Sequence, residues 1–199
     1  RGTPPGAGAE RGSGRASPRA AQSPERPNAS SLRRDWEEAP DLGPFFGRER
    51  ELATVTSWLL EDGCRVIAVM GLGGVGKTAL AAQLMRSVAD QFDIVIWRSL
   101  LNAPPPAEIL RLLLATVSAQ RAALPAAFDE QVGLLLDYLR RRRCLLVLDN
   151  LESVLQGGGP VSHYRPGYAE YGHLLLRLAQ TQHQSCLVLT SREEPPEFA

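Results

Sequence analysis

Gly71-Leu72-Gly73-Gly74-Val75-Gly76-Lys77-Thr78 is the stretch of this sequence that decides its fold. It fits the pattern G-x-x-x-x-G-K-[ST], in which backbone N–H groups of a glycine-rich loop surround a phosphate and the lysine reaches the β- and γ-phosphates. Lys77 is the only lysine of the chain, whereas the other 21 of its 22 basic residues are arginines. Because a slender ammonium fits inside a tight glycine loop and a planar guanidinium does not, we interpret this stretch as a phosphate-binding P-loop.

The residues on both sides of the loop have the character that a P-loop requires. Residues 65–70 are apolar and β-rich, which predicts a strand buried on both faces, and Leu80, Leu84 and Val88 repeat at helical spacing. A strand, a glycine loop and a helix in this order direct the positive N-terminus of the helix at a bound anion. The residues expected to bind the phosphates are Gly71, Gly73, Gly74, Val75, Gly76, Lys77, Thr78 and Ala79. The Thr78 hydroxyl is further expected to bind Mg²⁺.

Length and composition restrict the class of protein. The chain has 199 residues, of which 44% are apolar and 22% charged, as in a globular protein with one core. Its net charge is zero and it has no apolar run of about 18 residues, so nothing indicates a membrane or a specific nucleic acid as partner. Cys64, Cys144 and Cys186 lack metal-ligand spacing and are expected to be buried, reduced thiols. We therefore expect a cytoplasmic protein.

The first 30 residues differ in composition from the rest of the chain. Pro, Gly, Ser, Ala and Arg account for 25 of them. Such a segment buries too little apolar surface to offset its chain entropy, so we predict a disordered tail over residues 1–34 and an ordered domain over residues 35–199. The tail is mildly basic, and a solvated linker is favoured over a segment that contacts nucleic acid or an acidic partner.

The remaining apolar runs predict the fold class. Apolar runs that predict strands lie at residues 92–97, 144–149 and 186–192. Apolar residues at helical spacing lie around residues 52–59, 109–117, 132–139 and 174–178. Strands that alternate with helices predict an α/β fold with a parallel sheet. Asp129 is the expected N-cap of the third of these helices, and residues 156–167 are expected to form a long loop that is either a partner surface or slack.

Asp149 ends the third predicted strand, where ligands of parallel sheets bind. A carboxylate at this point, about seventy residues after a P-loop, is typical of the Walker B acid that holds Mg²⁺ directly or through water. Asn150 follows it, where hydrolytic relatives often carry a second acid. Because an amide cannot accept a proton from the attacking water, we expect slow hydrolysis. Glu152 is the nearest remaining carboxylate, or simply starts the next helix.

Arg192 follows the last predicted strand at the same edge of the sheet. It is expected to contact the γ-phosphate, as arginines do in phosphoryl-transfer sites, rather than to be a surface residue at a strand end. Lys77, Asp149 and Arg192 are therefore the residues expected to act on the phosphates during hydrolysis.

The order of these motifs resembles the NB-ARC group of STAND ATPases, which includes plant disease-resistance proteins and the apoptosome scaffold. The similarity lies in the hhGRE, P-loop, Walker B and sensor-1 motifs, which here are Phe46-Gly47-Arg48-Glu49, residues 71–78, Leu146-Val147-Leu148-Asp149 and Leu189-Thr190-Ser191-Arg192. Residues 35–41, 96–100 and 191–193 look most like bacterial members that carry WD40 or TPR repeats.

This resemblance implies a three-layer P-loop NTPase fold whose central sheet is mainly parallel. It implies that Phe46 and Arg48 lie beside the adenine and the ribose-phosphate, that Arg192 is the sensor, and that the cofactors are ATP or ADP with Mg²⁺. Helical and winged-helix subdomains are expected to follow this domain, together with repeat or effector domains. A nucleotide-dependent homo-oligomer is a further implication.

Three functions agree with these features. The first is the nucleotide-binding module of an ATP/ADP-controlled signalling switch. The second is an active P-loop ATPase or kinase, although an acceptor-substrate signature is lacking. The third is a scaffold whose nucleotide is structural. A GTPase is disfavoured, because the guanine-reading motif [NT]-K-x-D requires a second lysine.

Overall fold

The computed structural model describes residue 2 and residues 32–43, 46–120, 123–157 and 162–198. Residues 1 and 3–31, which carry most of the predicted tail, lie outside the described residues, so the disorder expected there stays a prediction. Residues 158–161 of the predicted loop also lie outside the described residues.

Strands and helices alternate along the described chain. The strands are β1 (Arg33–Asp35), β2 (Val66–Met70), β3 (Ile94–Ser99), β4 (Cys144–Asp149), β5 (Leu155–Gln156), β6 (His163–Tyr164) and β7 (Cys186–Ser191). The helices are α1 (Glu49–Leu60), α2 (Lys77–Val88), α3 (Pro106–Val117), α4 (Phe128–Arg141) and α5 (Glu170–Gln180). Within the described ranges, five strands form one sheet in the order β1-β3-β4-β7-β2, with every pairing parallel. This confirms the predicted α/β fold.

The sheet separates two hydrophobic cores. Alternate residues of a strand point to opposite faces. In β3, Ile94 and Ile96 pack into the core with α3, α4 and α5, whereas Val95 and Trp97 pack into the core with α1 and α2. Strands β4 and β7 alternate in the same way. The result is the three-layer sandwich expected for a P-loop NTPase fold.

Strand β1 shows that the ordered domain begins before Asp35. Arg33 and Arg34, which the composition had assigned to the tail, pair with Ile94 and Val95 of β3. The Arg34 guanidinium also donates hydrogen bonds to the carbonyls of Ala89 and Phe92, at 2.7 and 3.3 Å. Backbone pairing to a neighbouring strand holds these two arginines in place, and composition carries no signal for such pairing.

Strand β2 corrects the expectation that residues 65–70 form a strand buried on both faces. Among the described residues, β2 pairs with β7 alone and is therefore an edge strand. Ile67 is buried in the core with α1 and α2, but Ala68 and Met70, on the opposite face, are exposed. An apolar run has the same sequence pattern in an edge strand as in a central strand, so only the strand order of the folded sheet distinguishes the two positions.

Two local boundaries also differ from the predictions. Helix α4 begins at Phe128, so Asp129 lies in its first turn, where a negative charge still complements the helix dipole, and Ala127 occupies the N-cap. The predicted loop over residues 156–167 is partly a hairpin, because β5 pairs with β6 in antiparallel fashion.

The cysteines agree in part with the expectation of buried, reduced thiols. All three are free, Cys144 and Cys186 are buried, and Cys64 is partly exposed. None of the helices in the part of the chain that the structure describes is long and apolar enough to cross a lipid bilayer.

Candidate nucleotide-binding site

The glycine loop connects the end of β2 to the start of α2. Gly74 and Gly76 have φ values of 80° and 85°, a left-handed conformation that side chains with a Cβ rarely adopt. Gly76 is the N-cap of α2, so Lys77 and Thr78 open the helix. The loop therefore turns its backbone over the N-terminus of α2, where unpaired N–H groups and the helix dipole favour an anion.

Lys77 is almost buried, with 8% of its surface exposed. Its Nζ donates hydrogen bonds to the carbonyl oxygens of Gly71 and Leu72, at 2.8 and 3.0 Å. The ammonium thus lies inside the curve of the loop, as the motif predicts. A compact cation held by neutral carbonyls keeps its full charge available to a phosphate at the same place.

Asp149 lies at the C-terminal end of β4 and meets two threonine hydroxyls. Its Oδ1 accepts a hydrogen bond from Thr78 at 2.9 Å and another from Thr190, in β7, at 2.5 Å. The Thr190 oxygen also accepts the backbone N–H of Asn150 at 3.0 Å. The P-loop, β4 and β7 are thereby joined at one carboxylate. Thr190 lies in the sensor-1 motif and follows an apolar run, but nothing in the sequence pattern predicts that it binds Asp149.

Burial is the largest influence on the Asp149 carboxyl, and it raises the pKa above the ordinary value of 3.8. The hydrogen bonds from Thr190 and Thr78 lower the pKa, the nearby Glu152 carboxylate raises it, and the Lys77 ammonium lowers it. A divalent cation beside Asp149 would stabilise the charged form that burial disfavours.

A cavity of about 460 Å³ lies above the loop. Its wall is formed by Pro40, Asp41, Leu42, Gly43, Gly73, Gly74, Gly76, Lys77, Thr78, Ala79, Asn150, Glu152, Thr190 and Arg192. The volume is within the range of small-ligand and cofactor sites. Residues 40–43 belong to this wall, and Arg86 in α2 donates a hydrogen bond to the Pro40 carbonyl at 2.8 Å. No local sequence pattern predicts this contact or the presence of the segment in the site.

Arg192 lies across the cavity rim. Its Nε lies 3.1 Å from Oε1 of Glu152, with which it forms an ion pair. A Cβ atom built on Gly73 would lie 3.0 Å from the Arg192 Cζ, so the guanidinium rests directly on the P-loop backbone. The structure therefore brings Arg192 to the loop and adds Glu152 as its partner, and the contact of Arg192 with a γ-phosphate stays a prediction.

The two residues expected near the adenine and ribose are placed differently from each other. An Arg48 Nη2 donates a hydrogen bond to the carbonyl of Val75, which holds Arg48 against the P-loop. Phe46 is 82% exposed and lies outside the residues that line the described cavity. Contact of Phe46 with adenine thus stays a prediction of the family resemblance.

The donor set fits a nucleotide and a magnesium ion. Positive-φ glycines, a buried lysine and a helix N-terminus together suit a phosphate chain. Thr78 Oγ1 and Asp149 Oδ1 are hard oxygen donors 2.9 Å apart, and Mg²⁺ is bound by one or two such groups together with water and phosphate oxygens.

Curated proteins with similar sequences are much longer than this chain. An uncharacterized WD repeat-containing protein of Nostoc sp. is 44% identical over 174 residues, which cover 83% of this chain and 14% of that protein. Disease resistance protein RPS5 of Arabidopsis thaliana is 30% identical over 121 residues, which cover 59% of this chain and 14% of that protein. The chain therefore spans about one seventh of these relatives.

Solved structures support the fold assignment. Cdc6p from Pyrobaculum aerophilum matches with a TM-score of 0.56 and 19% identity, over 78% of this chain and 41% of that chain. A chain of Drosophila ORC bound to DNA matches with a TM-score of 0.51 and 16% identity, over 73% of this chain and 77% of that chain. At these identities, the likeness is one of fold.

The NB-ARC domain matches residues 48–154, from Arg48 through the P-loop and β4 to the turn that carries Glu152. This range is more than half of the 199 residues. It contains the P-loop and Thr78, which line the cavity, and Asp149, which accepts a hydrogen bond from Thr78. The chain belongs to the NB-ARC family of P-loop nucleotide-binding domains.

Proposed function

We propose that this domain is the ATP/ADP-binding module of a signalling switch and that it hydrolyses ATP slowly. The observation that carries the proposal is that Lys77 and Thr78 line one cavity and that Asp149 is hydrogen-bonded to Thr78 just behind its wall, with Asn150 where a second acid would activate water. The Asn150 backbone has a left-handed φ of 66°, and its N–H is bound to Thr190. The backbone of Asn150 is thus held in place. The Asn150 side-chain amide can orient a water molecule but cannot take a proton from it.

Each residue of the site has a distinct task in this proposal. Magnesium supplies charge neutralisation along the phosphates when it is bound. Lys77 neutralises the β- and γ-phosphates, and the loop N–H groups orient them. Thr190 keeps Asp149 directed at Thr78, so that the two oxygens meet the cation together. Arg192 is the residue that distinguishes a triphosphate from a diphosphate.

The setting of the module is part of the same proposal. Similarity to a WD repeat-containing protein and to disease resistance proteins supports a larger signalling protein in which repeat or effector domains accompany this domain. ADP would favour one conformation and ATP another, and the difference in affinity would drive assembly of copies of the protein in the cytoplasm.

Calorimetric titration with Mg-ADP, Mg-ATP and Mg-GTP tests the binding function. We expect adenine nucleotides to bind and Lys77→Ala to weaken them by about 100-fold or more, because it removes charged hydrogen bonds to phosphate. Arg111→Ala removes a cation from the exposed surface of α3 and serves as the matched control, with unchanged affinity. Equal affinity of the wild type and Lys77→Ala would refute the phosphate role of the loop, and a fast, stimulus-independent ATPase rate in the full-length protein would refute the switch.

A further inference from the structure

Glu152 is a carboxylate on the cavity wall that neither the P-loop nor the magnesium ligands require. It lies in the short 3-10 turn Leu151–Val154 that follows β4, and 15% of its side chain is exposed. One of its oxygens, Oε1, lies 3.1 Å from the Nε of Arg192, and the two side chains form an ion pair. The other, Oε2, is buried and finds no hydrogen-bond partner in the described part of the chain. Because an unsatisfied buried oxygen is costly, this side chain is held near the cavity at the expense of stability.

Arg192 connects this carboxylate to the P-loop. Its side chain is 60% exposed, so it is free to change rotamer. Its guanidinium lies so close to Gly73 that a Cβ on that residue would be 3.0 Å from Cζ. The arginine therefore reaches the phosphate-binding loop and Glu152 from one position on the rim.

The charges on the cavity wall explain what this arrangement can do. Lys77 and Arg192 are its cations, and Asp41 and Glu152 are its anions. Lys77 contacts only neutral carbonyls of the loop among the described residues, whereas the charge of Arg192 is balanced by Glu152. A third phosphate that bound Arg192 would therefore compete with Glu152 for it, and would also meet a carboxylate of its own sign.

We propose that Glu152 sets the preference of this site for a nucleoside diphosphate over a triphosphate by holding Arg192 in an ion pair. The pair stays intact over a bound diphosphate. A triphosphate binds when Arg192 leaves Glu152 for the third phosphate, and the lost ion pair lowers the affinity for the triphosphate. Glu152 is thus a specificity-determining residue that acts through Arg192. This inference rests on the proposed nucleotide-binding function and adds the residue that regulates the choice of nucleotide.

Glu152→Gln tests the proposal in titrations of the 199-residue chain with Mg-ADP and with the non-hydrolysable β,γ-imido analogue of Mg-ATP. The substitution keeps the size of the side chain and removes its charge. We expect the triphosphate analogue to bind about 10-fold more tightly while the ADP affinity changes by less than about 3-fold. Arg192→Ala is expected to shift the ratio the other way by about 10-fold, because it removes the cation and leaves Glu152 unpaired.

Glu193→Gln is the matched control. Glu193 is adjacent to Arg192 in sequence, binds Ser162 instead, and lies outside the cavity wall. Its substitution should leave both affinities within about 2-fold. The proposal is overturned if Glu152→Gln leaves the ratio of the triphosphate affinity to the ADP affinity unchanged, or lowers it. Should circular dichroism show that this variant does not fold, Glu152→Asp takes its place, because it withdraws the carboxylate from Arg192 by one methylene and should move the ratio toward the triphosphate by about 3-fold.

The ratio separates this inference from the function on which it rests. A general loss of packing would weaken both nucleotides alike, whereas the proposal concerns only their difference. If the wild type binds neither nucleotide, the nucleotide-binding function itself fails. It also fails if the Lys77→Ala variant binds both nucleotides as tightly as the wild type does. If binding depends on Lys77 and the ratio ignores Glu152, only the role of Glu152 is refuted.

Discussion

At the scale of single residues, the hydrogen bonds that Asp149 accepts favour the charged form of a carboxylate that burial alone would disfavour. Burial raises its pKa, while hydroxyl hydrogen bonds from Thr190 and Thr78 and the Lys77 ammonium favour the charged form. Both hydroxyls bind the same oxygen, Oδ1, so they fix the orientation of the carboxylate. A residue held in this way is prepared for a cation without rearrangement.

Asp149→Asn should reduce the magnesium dependence of nucleotide binding more than it reduces ADP affinity. The amide keeps the shape of the side chain and an oxygen for the two hydroxyls, but it loses the negative charge that attracts Mg²⁺. We expect the gain in affinity on adding Mg²⁺ to fall by about 10-fold or more, measured by ADP titrations at several Mg²⁺ concentrations. Asp137→Asn, on the exposed face of α4, is the control, and an unaltered magnesium titration of Asp149→Asn would show that Asp149 only ends a strand.

At the scale of elements, β1 is a short edge strand held by side chains. Arg98 of β3 is almost buried and donates hydrogen bonds to both carboxylate oxygens of Asp35, at 3.0 and 2.5 Å. The Thr116 hydroxyl donates to the same carboxylate, which joins β1 to α3. Residues 36–39 connect β1 to residues 40–43, which line the cavity, so this network anchors the chain shortly before the N-terminal wall of the site.

Asp35→Asn should destabilise the domain by about 1–2 kcal/mol at neutral pH, because a partly exposed but bidentate ion pair is lost. The hydrogen bond from Arg98 is the largest cause that lowers the pKa of Asp35 below its ordinary value of 3.8. A carboxyl whose pKa is lower in the folded state stabilises fully above its unfolded pKa, and this contribution is lost as the pH falls through the folded pKa. The difference in unfolding free energy should therefore shrink below about pH 4.

Urea denaturation of the wild type and Asp35→Asn at about pH 7 and about pH 3.5 measures this difference. Asp137→Asn removes the exposed pair with Arg140 and should cost at most about 0.5 kcal/mol. A difference for Asp35→Asn that stays the same size at both pH values would contradict the ion-pair explanation.

At the scale of the whole molecule, the site joins parts that are distant in sequence. The P-loop, Asp149, Thr190 and residues 40–43 come from both ends and the middle of the chain, and the parallel sheet brings them to one edge. The cores on the two faces of the sheet hold that edge in place. A ligand bound across these parts is therefore linked to global unfolding.

Thermal unfolding should report this linkage. At a Mg-ADP concentration of about 100 times its Kd, binding adds about 2.7 kcal/mol to the unfolding free energy, which raises the Tm by roughly 5–10 °C for a domain of this size. Differential scanning calorimetry at increasing Mg-ADP measures the shift. Lys77→Ala is the control and should show no increase, and an equal increase in that variant would mean that ADP stabilises the chain from elsewhere.

Local patterns predicted a large share of the fold. The P-loop, the carboxylate at the end of β4 and the alternation of strands and helices were all readable, because periodicity and turn chemistry act over a few residues. The sequence did not show that Arg33 and Arg34 belong to a strand, that β2 lies at an edge, or that part of the loop over residues 156–167 is a hairpin. Each of these depends on which segment is the neighbour in space.

By itself, the sequence determined the fold class, the phosphate-binding loop and the residue types available for its chemistry. The tertiary structure alone decided their partners: Thr78 and Thr190 on one oxygen of Asp149, Arg192 between Gly73 and Glu152, and residues 40–43 on the cavity wall. The physical reason is range. A helix, a strand or a glycine turn is specified by neighbours along the chain, whereas a contact between residues tens of positions apart exists only once the sheet has set the order of its strands.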